Sequence, residues 1–229
     1  MIYVTGDTHC PIDMAKLNTK QFPEQRRMTK EDHLIICGDA GIVWQPDSGE
    51  DRWWQKWLEA RNFTTLFVDG NHENHPALQE YPVEVWNGGR IHRIKPTVVH
   101  LMRGQIYDIE GYRIFTMGGA ASTDRVYRKA GVNWWQEEMP SEEEYQEAIS
   151  NLENAGWKID YVITHTAADH VIHKIDPMNQ HDALTSFLFM LEKKLEYRHW
   201  YFGHFHDDRE MDEKHTMLYQ SIIPINSQY

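Results

Sequence analysis

The sequence predicts an α/β fold, a layered sandwich with mixed β-sheets. Three observations carry this expectation: short, almost wholly apolar runs recur along the chain, helical stretches separate some of them, and the middle reads as β-hairpins. With 229 residues, the chain is long enough for one domain with a substantial core, and we expect a single domain over residues 1–229.

The strands come first. "IYVT" (2–5), "HLIIC" (33–37), "TTLFV" (64–68), "YVIT" (161–164) and "HWYF" (199–202) are rich in Val, Ile and aromatic residues, and such unbroken runs suit strands buried on both faces. Between them, "EDRWWQKWLEARNF" (50–63) repeats its apolar residues at helical spacing. "SEEEYQEAISNLENAG" (141–156) opens with Ser141 and Glu144 at capping-box spacing and ends at Gly156. "HDALTSFLFMLEKKL" (181–195) is apolar enough to pack on a sheet. "VEVW" (83–86), "GGRIHRI" (88–94) and the stretch 98–119 predict hairpins with a turn at Glu110-Gly111, and "MLYQSII" (217–223) predicts one late strand. Residues 122–139 follow no period and are expected to form a long surface loop, the kind that often carries function.

Each of the five apolar runs is followed at once by ligand-capable residues: Gly6-Asp7-Thr8-His9, Gly38-Asp39, Asp69-Gly70-Asn71-His72-Glu73, His165, and Gly203-His204-Phe205-His206. If these strands share a sheet and run the same way, the clusters meet beyond their carboxyl ends, where open α/β sheets bind ligands. The set offers carboxylates, imidazoles and one amide oxygen, a mixture suited to Mn, Fe, Zn, Co or Ni. Seven ligands exceed the needs of one tetrahedral zinc. They suit two ions sharing a carboxylate, the arrangement that clamps attacking and leaving oxygens in displacement at phosphorus.

The ordered blocks GDTH, GD, GNHE, H and GHFH, running from Asp7 to His206, resemble those of the calcineurin-like metallophosphoesterases. The resemblance implies a four-layer αββα sandwich with two divalent ions, Mn or Fe/Zn, with Ni or Co as alternatives. By motif position, Asp7, His9 and His206 would hold the first ion. Asn71, His165 and His204 would hold the second, and Asp39 would bridge them. His72 would bind no metal but contact the phosphate and protonate the leaving oxygen, while a hydroxide held at the ions attacks in line. The implied activity is phosphoester hydrolysis, most simply of a monoester on a small molecule or phosphoprotein. A phosphodiesterase acting on cyclic nucleotides or nucleic acid is the alternative. A non-catalytic binding module is a further one, but it should have lost ligands or His72, and this chain keeps them all.

The chain departs from the family's pattern in two places. Cys10 stands where Gly commonly follows the first His. After Asp39 the run Ala40-Gly41-Ile42-Val43-Trp44 lacks the acid and Arg of the protein serine/threonine phosphatase pattern. Arg125 and Arg128, in the 122–139 loop, are the candidate phosphate contacts in their stead.

The remaining features set limits. A formal net charge of -12 disfavours long nucleic acid, whose backbone demands clustered Lys and Arg. Two cysteines, Cys10 and Cys37, are too few for a disulfide framework and are expected as reduced, mostly buried thiols. No run approaches about 18 apolar residues, and a strand begins at Ile2, so we expect no signal peptide, no membrane span and a cytoplasmic protein. His33, His92, His100, His199 and His215 read as structural, and His75, His170 and His173 as candidate pocket-lining groups. "HENHP" (72–76) is HExH rather than HExxH, and Pro76 argues against a continuing helix there.

Overall fold

The apolar runs become strands with both faces covered, and alternate residues on each strand enter different cores. In the computed structural model, which describes residues 1–46, 48–178 and 181–226, two sheets face each other. The first half of the chain supplies β1 (Ile2–Thr5), β2 (His33–Ile36), α1 (Gly49–Glu59), β3 (Thr64–Phe67), α2 (His75–Gln79), β4 (Val83–Trp86), β5 (Gly89–Lys95) and β6 (Val98–Leu101). The second half supplies β7 (Gln105–Ile109), β8 (Tyr112–Met117), α3 (Glu142–Asn154), β9 (Tyr161–Thr164), α4 (Asp169–Ile175), α5 (Ala183–Glu192), β10 (His199–Phe202), β11 (Arg209–Asp212), β12 (His215–Met217) and β13 (Ile222–Pro224).

One sheet has the order β13-β1-β2-β3-β6-β5-β4 and the other β11-β12-β10-β9-β8-β7. In the first, β1, β2, β3 and β6 are parallel, flanked by antiparallel β13 and the β5–β4 hairpin. In the second, β12, β10, β9 and β8 are parallel, flanked by antiparallel β11 and β7. Val4, Ile35, Leu66, Ile114, Ile163 and Tyr201 fill the space between the sheets. The intervening residues point outward: Leu34, Ile36 and Phe67 pack beneath α1 and α2 with Leu58 and Leu78, while Phe115, Val162 and Trp200 pack beneath α3, α4 and α5 with Leu152, Val171 and Leu188. The result is the four-layer αββα arrangement, and it explains why these runs lack a polar face. No helix among the described residues is long and apolar enough to cross a membrane.

The helix at 141–156 forms from Glu142 with the expected Ser141–Glu144 capping box. Two expectations need correction. The stretch 217–223 is not one strand: His215–Met217 belongs to the second sheet and Ile222–Pro224 to the first. The chain crosses between sheets at 218–221, where Leu218 enters the inter-sheet core and the Asp208 carboxylate accepts the N–H groups of Tyr219, Gln220 and Ser221. The five ligand-bearing strands do not share a sheet either, for β1, β2 and β3 lie in one and β9 and β10 in the other. At 72–76 the expectation holds: residues 72–74 are not helical, and the short helix α2 begins only beyond them. It starts at His75 with Asn74 capping it, so Pro76 falls in the first turn, where a missing N–H costs nothing.

The second sheet holds a buried polar knot. His215, 3% exposed, places Nδ1 2.7 Å from Asp212 Oδ1 and Nε2 3.3 Å from Glu192 Oε1. Burial favours loss of its proton, but the two carboxylates outweigh burial and raise its pKa above the usual imidazole value. A raised folded-state pKa adds stability that is fully present below the unfolded-state pKa, about 6.5, and is lost as pH rises through the folded value. We expect His215→Gln to lower unfolding free energy by about 1–3 kcal/mol at pH 6. The gap to the native protein should narrow by pH 9, as read by urea titration at both pH values.

Candidate metal centre

Parallel strands in both sheets end at a common seam, and the loops leaving them turn sharply. Among the described residues, His9, Asp39, His204 and His206 are four of seven non-glycine residues with positive φ, at 33°, 48°, 73° and 51°. Such conformations cost about 1–3 kcal/mol each and cluster at functional sites, where surrounding structure enforces them. Close approach explains the small residues between. A Cβ on Gly70 would lie 2.0 Å from Asp39 Oδ1 and 2.7 Å from His165 Nε2.

Asp7 and Asp39 are buried at this seam, 0% and 1% exposed. Asp39 Oδ2 lies 3.2 Å from His9 Nε2, and its Oδ1 lies 3.4 Å from His165 Nε2. Its Oδ1 also accepts the His72 N–H at 2.6 Å. Asp7 Oδ2 faces His206 Nε2 at 3.2 Å and His9 Nε2 at 3.7 Å. His165 Nε2 lies 3.1 Å from Asn71 Oδ1, and the His204 ring packs on His165 with centroids 5.0 Å apart. All seven expected ligands are thus brought together. Donor atoms of Asp7, His9 and His206, of His9, Asp39 and His72, and of Asp7, Asp39 and His165 fall within 4.8 Å of one another. His72 therefore stands close enough to be grouped with donors, although the motif gives it another role.

Does this set fit cations? Asp7 Oδ2 is buried and receives no hydrogen bond of good geometry, although two imidazole nitrogens face it. An ionised oxygen in that state is costly unless a positive charge offsets it. Burial opposes a charged His165, yet Asp39 and Asp7 push its pKa up to about 10. The same facing imidazoles hold Asp39 well below the usual carboxylate range against burial. The pocket demands positive charge, and its oxygen and nitrogen donors suit borderline divalent ions. The imidazoles are oriented by their other nitrogens: His9 Nδ1 donates to Asp13 Oδ2 at 2.9 Å and His165 Nδ1 to the Cys37 carbonyl at 2.7 Å, so each presents Nε2 to the seam.

The supporting residues were less visible in the sequence. Glu73, fully buried, accepts the N–H of Ala40 at 2.7 Å and braces the loop after Asp39. Asn71 Nδ2 donates to Ser122 Oγ at 3.2 Å, and Ser122 Oγ donates to Glu138 Oε2 at 2.6 Å. Lys16 is 6% exposed and donates to the carbonyls of Gly6 at 2.9 Å, Asp7 at 2.7 Å and Tyr219. Asp69 binds Arg103 at 2.9 Å through Nε and faces His100 at 3.2 Å. Of these supporting residues, Asp69 and Glu73 carried a signal, as members of the polar cluster that follows β3.

The 122–139 loop folds over the seam, with Trp135 edge-on to Trp44 at 5.4 Å. It brings Arg128 to His72, Nη2 lying 3.0 Å from Nε2 and 3.2 Å from Nδ1. Asp124 holds Arg128 through two contacts of 2.6 and 2.8 Å. Burial, with Arg128 alongside, lowers the His72 pKa despite the pull of Asp39. Arg125 instead lies over the Trp134 ring, 4.3 Å from its centroid. The other candidate histidines are not in the seam. His75 is buried against Asp69 at 3.8 Å, His170 faces Glu192 at 3.5 Å, and His173 is exposed. Both cysteines are free, and burial raises both thiols above their ordinary pKa, so neither is poised as a thiolate.

Two mixed sheets whose parallel strands end on a buried Asp/His cluster define a protein built to hold divalent cations at a sheet seam. The sequence model of the calcineurin-like phosphoesterases matches residues 1–208, and the chain belongs to that family. A search of curated proteins finds no match. Family and donor cluster together support a metal-dependent phosphoesterase.

Gly70→Ala tests the fit. A methyl group there would press on the Asp39 carboxylate, on the Asp39 backbone N at 2.5 Å and on His165, so the loop after β2 must shift together with both side chains. We expect an unchanged circular dichroism spectrum and Mn affinity reduced by about 10-fold or more, measured by calorimetric titration.

Proposed function

We propose that this chain is a phosphomonoesterase working through two divalent ions, with Mn the first to test. The observation that supports the two-ion centre in this reading is the division of Asp39. One carboxylate oxygen faces His9 and the other faces His165, as a group shared by two cations requires. Asp7, His9 and His206 would hold one ion, Asn71, His165 and His204 the other, and Asp39 both. When bound, the ions supply Lewis acidity toward the phosphoryl oxygens and a water activated near neutral pH.

The remaining chemistry falls to side chains. His72 is the proton donor to the leaving oxygen. Its backbone N–H is fixed on Asp39, which sets the ring beside the seam. Without substrate, burial and Arg128 favour its neutral form. An arriving phosphate brings the negative charge that restores the proton and engages Arg128. Arg128 then replaces the arginine missing after Asp39, and Asp124 orients its guanidinium. A charge-assisted contact of this kind stabilises charge that grows on phosphate in the transition state.

Elemental analysis, followed by assay of p-nitrophenyl phosphate and bis-p-nitrophenyl phosphate after Mn reconstitution, tests the assignment. Faster monoester cleavage is expected, and faster diester cleavage would reverse the order of substrates. His72→Asn should keep its metal content and lose about 10²–10⁴-fold in turnover; unchanged turnover removes it from proton transfer. Arg128→Ala should lower kcat/KM roughly 10- to 100-fold, as loss of one charged contact predicts.

A further inference from the structure

β12 runs parallel to β10, so its carboxyl end reaches the same seam as the ligand-bearing strands. The second residue beyond it is Tyr219, outside the stretch matched by the family model. Its ring stacks on His206, with centroids 4.9 Å apart and planes at 20°. Its hydroxyl donates to Asp13 Oδ1 at 3.0 Å, and the other oxygen of Asp13 accepts from His9 Nδ1 at 2.9 Å. One side chain thus touches His206 directly and His9 through Asp13.

The geometry points to Tyr219 as a positioning residue for one of the two ions, the one assigned to Asp7, His9 and His206. The inference rests on that ligand assignment. His206 needs such support because its side chain is 50% exposed and would otherwise be free to choose among rotamers. Stacking holds the ring with Nε2 on Asp7. The hydroxyl acts differently: by sharing Asp13 with His9, it fixes the carboxylate that keeps the His9 proton on Nδ1 and its lone pair on Nε2. Groups that orient metal-bound imidazoles in this way change affinity by about 10–100-fold. The backbone of Tyr219 is itself immobilised. Its N–H donates to Asp208 Oδ1 at 2.8 Å and its carbonyl accepts from Lys16. Among the described contacts of Tyr219, none reaches Asn71, His165 or His204, so the other ion should not sense the change.

Titration of the metal-free protein with Co(II), followed by visible absorption, reads the two ions separately without any substrate. Tyr219→Phe keeps the stack and removes the bond to Asp13. It should weaken one ion about 10-fold and leave the other within twofold, and Tyr219→Ala should weaken that ion further. Asp13→Asn alone should reproduce the Tyr219→Phe loss or exceed it. The double variant Asp13→Asn with Tyr219→Phe should then bind no more weakly than Asp13→Asn. Equal weakening of both ions, strictly multiplicative losses in the double variant, or native affinities in Tyr219→Phe would each overturn the assignment. If the native protein itself takes up fewer than two ions, the ligand reading fails instead, and the two failures are thereby distinguished.

Discussion

Two carboxylates buried side by side where the sheets meet set the terms for the rest of the molecule. Asp7 and Asp39 are almost inaccessible to water, and ionised groups so placed are tolerated only with compensating charge. The compensation is drawn from distant segments: His9 from the loop after β1, His165 from the loop after β9, and His206 from the loop after β10. The left-handed backbone at His9, Asp39, His204 and His206 is the conformational cost of aiming those groups inward. Glu73 and Lys16 offset part of it by taking up backbone N–H and C=O groups that the sharp turns leave without ladder partners.

The strands and the residues gathered at the seam were legible for one reason. A strand buried on both faces has no polar residue to spare, so the first polar residue after it announces both its end and a turn toward a site. Val162 and Trp200 face one core while Ile163 and Tyr201 face another, and this leaves an unbroken apolar run that can be read by eye. The supporting residues carried no such contrast. Asp13, Ser122 and Glu138 are ordinary polar residues in irregular segments, and their roles come from hydrogen bonds across 4, 51 and 16 positions. The 217–223 stretch misled because its apolar composition is continuous while its backbone changes sheets. The crossing is decided by Asp208 and Lys16, which lie far from any local pattern.

The loop at 122–139 brings a positive charge to His72 from a different part of the sequence. The segment after Asp39 carries neither the acid nor the arginine of the protein phosphatase pattern, and the backbone there is occupied with Glu73. Arg128 and Asp124 arrive as a pair on a loop anchored by Trp135 against Trp44. A positive charge therefore stands beside His72 without any change in the strand-end motifs. Arg125, only three residues away, is turned onto Trp134, so proximity in sequence was a poor guide to which arginine faces the seam.

The pairing of β13 with β1 has a temporal consequence. β1, which leads into Asp7, is flanked by a strand from the far end of the described residues, and two of the three histidines that face Asp7, His165 and His206, also lie far along the sequence. Contacts spanning so much of the chain form slowly, because loop closure must precede them. Until β9, β10 and β13 are in place, the buried carboxylates lack His165 and His206 and β1 keeps an open edge. Pairing of β13 with β1 and charge compensation of the buried carboxylates therefore both wait on long-range closure of the chain.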